Sequence, residues 1–280
     1  MAIGRLCGIL VFFCAGASAQ WLNYPTSGVP RTADGKADRS APAPRTADGK
    51  PDLSGMWEDD TGKPPQSCYA GACEESSDVL KSGFRLASNV GWVDFGARLP
   101  GGLPYQPWAA QAVKRRKVDY GKDDPPTHCM PLGAPRMLVH PLYRKFVQTP
   151  GLLVILNERD AGYRQIFTDG RPLPQDPQPS WNGYSTGKWE GDTLVVQTNG
   201  LRDGMWLDRI GIPMTDAAKL PERFRRVNYG TMEIEVTVDD PKAYTKPWTV
   251  KVIEFIVLNT ELLDSICVEN EKDATHLVGK

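Results

Sequence analysis

Asn182-Gly183-Tyr184-Ser185-Thr186-Gly187-Lys188-Trp189-Glu190-Gly191-Asp192-Thr193-Leu194-Val195-Val196-Gln197-Thr198 is the stretch that decides the fold class. It reads as two strands joined by a tight turn. Glu190-Gly191-Asp192 makes the turn, because glycine reaches the positive φ of a short hairpin without a steric penalty. Thr193 to Thr198 is rich in β-branched and apolar residues and contains neither Gly nor Pro.

The same style extends both ways from this hairpin. Strands are predicted at Lys145–Gln148, Leu152–Glu158, Tyr163–Thr168, Ser185–Trp189, Thr193–Thr198, Glu222–Val227, Thr231–Val238, Thr249–Leu258 and Glu261–Val268. Their connections carry turn chemistry, such as Asp160-Ala161-Gly162, Asp169-Gly170-Arg171-Pro172 and Asn228-Tyr229-Gly230. Met232, Ile234, Val236 and Val238 share one face, and Glu233, Glu235 and Thr237 the other. The strand around Val250 to Val257 is apolar on both faces and calls for a cover. Strands joined in series by short turns form an antiparallel meander, and closure removes the hazard of exposed edges. The expected fold is therefore mainly β: a meander closing into a barrel that resembles the lipocalin or calycin architecture. A strongly curved open sheet wrapped by the N-terminal segment is the alternative.

Upstream the chain is different. Met1 to Arg5, an apolar run from Leu6 to Ala17 and Ala17-Ser18-Ala19 read as a signal peptide over residues 1–19. Val11-Phe12-Phe13 before Cys14 lacks the small residue of a lipid-attachment signal. Residues 20–52 read as an extended arm in which Pro30-Arg31-Thr32-Ala33-Asp34-Gly35-Lys36 recurs as Pro44-Arg45-Thr46-Ala47-Asp48-Gly49-Lys50. Such an arm either hangs free or lies over the body. Residues 53–280 are then one β-barrel domain, with Trp57 as its first anchor. Asp78–Phe84 suggests a helical turn or two, and Pro107–Asp119 is the best helix, with Pro in its first turn. Its basic run Lys114-Arg115-Arg116-Lys117 compensates the helix dipole in solvent. Four cysteines remain in the exported chain, Cys68, Cys73, Cys129 and Cys267, an even set that favours disulfides. Three pairings are possible; Cys68–Cys73 with Cys129–Cys267 is preferred.

With 33 basic and 34 acidic side chains, net charge gives no reason to expect nucleic acid. No stretch of the mature chain is long and apolar enough to span a membrane. No G-x-G-x-x-G, P-loop or G-x-S-x-G motif occurs, which argues against nucleotide cofactors and a serine nucleophile, and no cofactor is implied. His128 and His140 flank a Pro-rich loop and could meet, but without metal-ligand spacing no metal site is assigned. Arg202-Asp203-Gly204-Met205-Trp206-Leu207-Asp208-Arg209 follows the central hairpin. If it folds over a barrel mouth, Asp203 or Asp208 could serve as a base raised by burial beside Trp206, with Arg209 holding an anionic oxygen. The competing expectation is an ordinary loop pinned by Trp206 and Asp–Arg pairs. Trp189, Tyr184, Arg164 and Arg171 complete the candidate ligand contacts. Arg223 and Arg225 lie opposite Phe224 in parity, and are expected to be solvated or to pair with Glu233 and Glu235 across the turn.

The motifs Asp48-Gly49-Lys50-Pro51-Asp52-Leu53-Ser54-Gly55-Met56-Trp57, His128-Cys129-Met130-Pro131-Leu132-Gly133 and Trp189-Glu190-Gly191-Asp192-Thr193-Leu194-Val195-Val196 resemble a large group of secreted bacterial proteins of unknown function. The resemblance covers nearly all of the mature chain. It implies export and a single architecture and carries over no catalytic residues. Some of that group have histidines where this chain has Gly211-Ile212-Pro213-Met214, so a role built on those histidines does not transfer.

Three functions follow as expectations. The leading one is an exported barrel that binds a small, apolar or aromatic molecule inside it. The second is a cofactor-free isomerase, lyase or hydrolase working through Asp203 or Asp208 and a nearby arginine. The third is a partner protein whose arm, residues 20–52, docks on another subunit, including a homo-oligomer. The barrel interior discriminates: a roomy apolar pocket supports binding, a carboxylate beside an arginine supports catalysis, and a filled lumen with an exposed apolar patch supports the partner role.

Overall fold

The computed structural model describes residues 24–59, 95–96, 99–119 and 121–269. The expected signal peptide, the helical turn or two expected at Asp78–Phe84 and the preferred Cys68–Cys73 pairing lie outside these residues. The strands are β1 (Gly55–Asp59), β2 (Arg144–Thr149), β3 (Leu152–Asn157), β4 (Tyr163–Phe167), β5 (Tyr184–Glu190), β6 (Thr193–Asn199), β7 (Met205–Trp206), β8 (Pro213–Met214), β9 (Leu220–Asn228), β10 (Thr231–Val238) and β11 (Trp248–Val257). Among the described residues the α-helix is α1 (Pro107–Val118), which matches the expected one to within a residue.

Nine strands close into a barrel in the order β1-β11-β10-β9-β6-β5-β4-β3-β2, and β7 and β8 pair separately. The meander expected from the sequence is present, with two corrections. The pair β4–β5 is parallel. An odd ring cannot alternate direction at every step, so closure with nine strands demands one parallel neighbour, and the long connection from Thr168 to Gly183 carries the chain back. The second correction concerns Glu261–Val268, which forms no strand. β11 already has β10 on one edge and β1 on the other. No edge is left, and residues 258–269 instead cross the top of the β3–β4 turn. There Ser265 bridges to Arg159, and the Leu263 and Cys267 amides donate to Glu158 and Asp160 at 3.0 and 2.7 Å.

The central hairpin forms as read, with strands ending at Glu190 and resuming at Thr193. Gly191, at φ 58°, takes the first loop position, where a primed hairpin turn needs positive φ. Parity along each strand sends Trp57, Phe146, Ile155, Ile166, Val196, Phe224, Ile234 and Val252 inward, all 0–1% exposed. Ile253 points outward yet is 0% exposed, so the doubly apolar β11 is covered as expected. Above the barrel, Leu132, Leu138, Leu207, Ile212 and Tyr244, from the connections, join the same core and close that end.

Cys129 and Cys267 form a disulfide with Cα atoms 5.4 Å apart, across a separation of 138 residues. This is the preferred pairing, tying the middle of the chain to its C-terminal segment. A cross-link over so long a loop removes much unfolded-state entropy. Replacing both cysteines by serine should lower the free energy of unfolding by roughly 2–5 kcal/mol in urea titration; an unchanged midpoint would contradict that role.

Candidate functional site

The lumen is occupied by its own side chains. Phe146 on β2 and Phe224 on β9, strands on opposite walls, bring their ring centroids within 6.2 Å, and Trp57 meets Phe146 edge-on at 6.5 Å. Alternation also carries charge inside. Arg164 on β4 makes a two-pronged pair with Glu222 on β9, and Ser185 and Thr198 fill its remaining contacts at 2.9–3.3 Å. Arg144 on β2 donates to both Glu254 oxygens at 2.6 and 2.8 Å and to the carbonyls of Leu138, His140 and Leu142. Asp59 stands 3.7 Å from the same guanidinium. Burial alone would lower the Arg144 pKa, but the facing Glu254 and Asp59 carboxylates outweigh it and raise it. Both pairs are 0–1% exposed. The terminal nitrogens of each guanidinium meet acceptors from the protein, which gives the pairs a structural role: Arg144–Glu254 ties the two neighbours of β1, and Arg164–Glu222 ties β4 to β9 across the lumen.

Arg164, one of the ligand candidates read from the sequence, is placed in this lumen pair. Glu222, Arg144 and Glu254 were missed as interior residues. Parity held the signal: Glu222 alternates with Phe224, Arg144 with Phe146, and Glu254 fills the gap between Val252 and Ile256.

The loop carrying Asp203, Asp208 and Arg209 folds over the top of the barrel, with β7 and β8 as its stem. Asp208 is fully buried. One oxygen accepts the amides of Ile210, Gly211 and Ile212 at 3.0–3.1 Å and the other the Phe95 amide at 2.6 Å. Four N–H donors make it a loop organiser. Asp203 and Arg209 are exposed. Trp206 packs under Arg116 of α1, whose guanidinium lies 4.2 Å above the ring and donates to the Gly211 carbonyl at 2.6 Å. The basic run is thus not wholly solvated: Arg116 docks the helix. The loop is pinned by Trp206, as expected, and by the amides that donate to Asp208.

The remaining candidates sit apart. Tyr184 stacks on Phe167 at 5.2 Å and accepts a hydrogen bond from Arg171, which covers the same Phe167 ring and pairs with Asp169. Trp189 is a half-buried contributor to the core. His128 is exposed and bonds the Lys122 carbonyl at 3.0 Å. His140 is half-buried, and its Nδ1 is enclosed without a hydrogen-bond partner. Burial, reinforced by Arg159, Arg144, Arg136 and Arg209, pushes its imidazole down to about 3. Among the described residues no group of three or more His, Cys, Asp and Glu could hold a metal.

The concave surface lies elsewhere. One shallow recess of about 210 Å³ runs along the outer wall, between Arg223 and Arg225 of β9 and Glu233 and Glu235 of β10. The register sets Arg223 opposite Glu235 and Arg225 opposite Glu233, but the ion pairs formed are Arg223 with Glu190 at 3.5 Å and Lys251 with Glu233 and Glu235 at 3.8 Å.

The larger recess, about 460 Å³, lies at the other end of the barrel, under the arm. Residues 24–28 form one wall, and Gly55, Met56, Lys145, Ile256 and Val257 of β1, β2 and β11 form the other. The arm lies over the body here. Thr26 and Asn259 exchange hydrogen bonds at 3.2 and 2.8 Å. At the inner end Arg226 donates to the carbonyls of Asp52, Ser54, Asn228 and Tyr229 at 2.5–3.3 Å, between the Trp57 and Tyr229 rings. Burial lowers its pKa to about 10, Asp52 and Tyr229 opposing. At the rim Lys145 pairs with Glu261 at 2.5 Å. The cleft has an apolar floor, a polar rim and a volume within the roughly 300–1,000 Å³ of small-molecule sites. None of the sequence-nominated residues lines it. It depends on an arm folded back across a long separation, which no local pattern encodes.

Two predictions follow from the charged groups. Glu222→Gln leaves Arg164 buried without its counter-charge and should destabilise by about 3–5 kcal/mol, whereas Arg164→Met with Glu222→Leu should cost much less. Urea unfolding of the three chains checks this, and equal losses would contradict it. For His140 the unfolded chain binds a proton below about 6.5 that the native state refuses until about 3. Stability therefore falls as pH drops through that window. Between pH 7 and 5 the wild type should lose about 2 kcal/mol more than His140→Leu, with matching slopes overturning the assignment.

The chain matches no protein-family model, no curated protein and no solved structure.

Proposed function

We propose that this is an exported barrel protein that binds a small, largely apolar or aromatic molecule, held in the cleft beneath residues 24–28 and outside the lumen. The observation that carries the proposal is that cleft: about 460 Å³, walled by the arm on one side and by β1, β2 and β11 on the other. Met56, Ile256 and Val257 offer apolar surface, and the Lys145–Glu261 pair at the rim offers a polar handle for one end of a ligand. Packing of Phe146 against Phe224 supports moving the ligand out of the lumen. The engagement of Asp208 with four amides supports binding over acid–base catalysis at the upper loop.

Export is part of the same proposal. It rests on the basic, apolar and small-residue order of residues 1–19 and on the resemblance to the secreted group. The Cys129–Cys267 disulfide suits an oxidising compartment. Among the described residues no helix is long and apolar enough to cross a membrane.

Val257 is partly exposed in the cleft, so Val257→Trp fills it with little disturbance of the core. Anilinonaphthalene sulfonate, a flat aromatic with one anionic group, should saturate a single site on the wild type. The substitution should weaken it by at least about tenfold, or ~1.4 kcal/mol. Undiminished probe binding by a folded Val257→Trp chain would overturn the proposal.

A further inference from the structure

Residues 30–36 and 44–50 are the same heptapeptide, and they fold alike. In each, the Thr amide donates to the Lys carbonyl at 2.9 Å and the Gly amide to the Thr carbonyl at 2.9 Å. Each Arg folds back on the Gly carbonyl, Arg31 to Gly35 at 3.2 Å and Arg45 to Gly49 at 2.8 Å. The two copies differ in what the arginine holds. Arg45 grips both oxygens of Asp192, at the tip of the β5–β6 hairpin, at 3.0 and 2.8 Å. The first copy sits near the β9–β10 turn, where the Gly230 and Tyr229 amides donate to the nearby Arg39 and Ala41 carbonyls at 2.8 and 2.7 Å. That turn reads Asn228-Tyr229-Gly230 and offers no carboxylate. Asp34 is engaged by Thr32 and Lys36. Exposed Arg31 has no carboxylate partner among the described residues.

The second copy therefore shows what the motif binds, and the first presents the same fork without it. We propose that residues 30–36 are a docking clip for an aspartate at the tip of a β-turn on a partner polypeptide. A single exposed Arg–carboxylate pair contributes little, and Arg45–Asp192 persists because both belong to one chain. A partner must add backbone contacts around the turn, which a polypeptide supplies and a free carboxylate does not.

The test uses the full mature chain labelled with nitrogen-15 at glycine, titrated with a hairpin peptide of the sequence of residues 184–199. The Gly35 amide should shift at millimolar peptide while Gly49, whose arginine is occupied, stays still. In an Asp192→Asn chain Gly49 should respond as well, which shows that the motif captures this probe. The peptide with its turn Asp replaced by Asn should move neither, and Arg31→Ala should abolish the Gly35 shift. A silent Gly35 beside a responsive Gly49 in the Asp192→Asn chain would overturn the proposal. So would a Gly35 shift that survives Arg31→Ala, or one that acetate reproduces in full.

Discussion

A sheet that curls without closing keeps two edges of unpaired amides and carbonyls, and here both edges are filled by the same five residues, Gly55–Asp59. β1 pairs with β11 on one side and β2 on the other, so the first structured segment of the body locks together strands from the middle and the end of the chain. Trp57 is the inward anchor of that lock, 0% exposed, with its indole N–H on the Leu53 carbonyl at 3.1 Å. Closure fixes the rest. It forces one parallel pair among nine strands, leaves no edge for the C-terminal segment, and sets the arm, which runs directly into β1, across the lower end of the barrel.

Closure also makes the buried arginines intelligible. A narrow barrel must fill its lumen with side chains, and two guanidinium–carboxylate pairs are part of that filling. Burying charge is unfavourable unless donors and acceptors are met; Arg164 is met by a carboxylate and hydroxyls, and both terminal nitrogens of Arg144 by a carboxylate and carbonyls. Such pairs favour one register over its neighbours, because a slip of one residue would turn each charge outward and a different set of side chains in. With the lumen filled, the ligand-sized space moves to the cleft that the arm makes with the outer wall.

The strands from Arg144 to Val257 were legible because alternation and turn residues agree with each other there. Gly191 and the Asn228-Tyr229-Gly230 turn mark hairpins that formed where expected. β1 was not read as a strand because it is short and starts at a glycine with φ 143°, so its pairing is decided by the open edges it finds and not by its own propensity. Glu261–Val268 failed for the mirror-image reason: its residues suit a strand, but no edge was left to pair with. The ion pairs were legible in parity and masked by the habit of placing charge outside. Asp203, Asp208, Trp206 and His140 drew attention as chemistry-bearing types in a loop-rich region, yet Asp208 organises backbone, Trp206 packs under Arg116, His140 is half-buried and Asp203 is exposed. The arm's duplication was plain in the sequence, whereas its grip on Asp192 joins residues 147 apart, a distance that only the closed barrel bridges.

The central claim is that β1 is an integral staple of the barrel. Hydrogen–deuterium exchange followed by mass spectrometry on the native chain tests it directly, through the peptide that contains Met56–Glu58. The account predicts that those amides exchange as slowly as those of β10 and β11, opening only with global unfolding. Exchange of β1 at the rate of the exposed turns, while β10 and β11 stay protected, would show a sheet with open edges and contradict it.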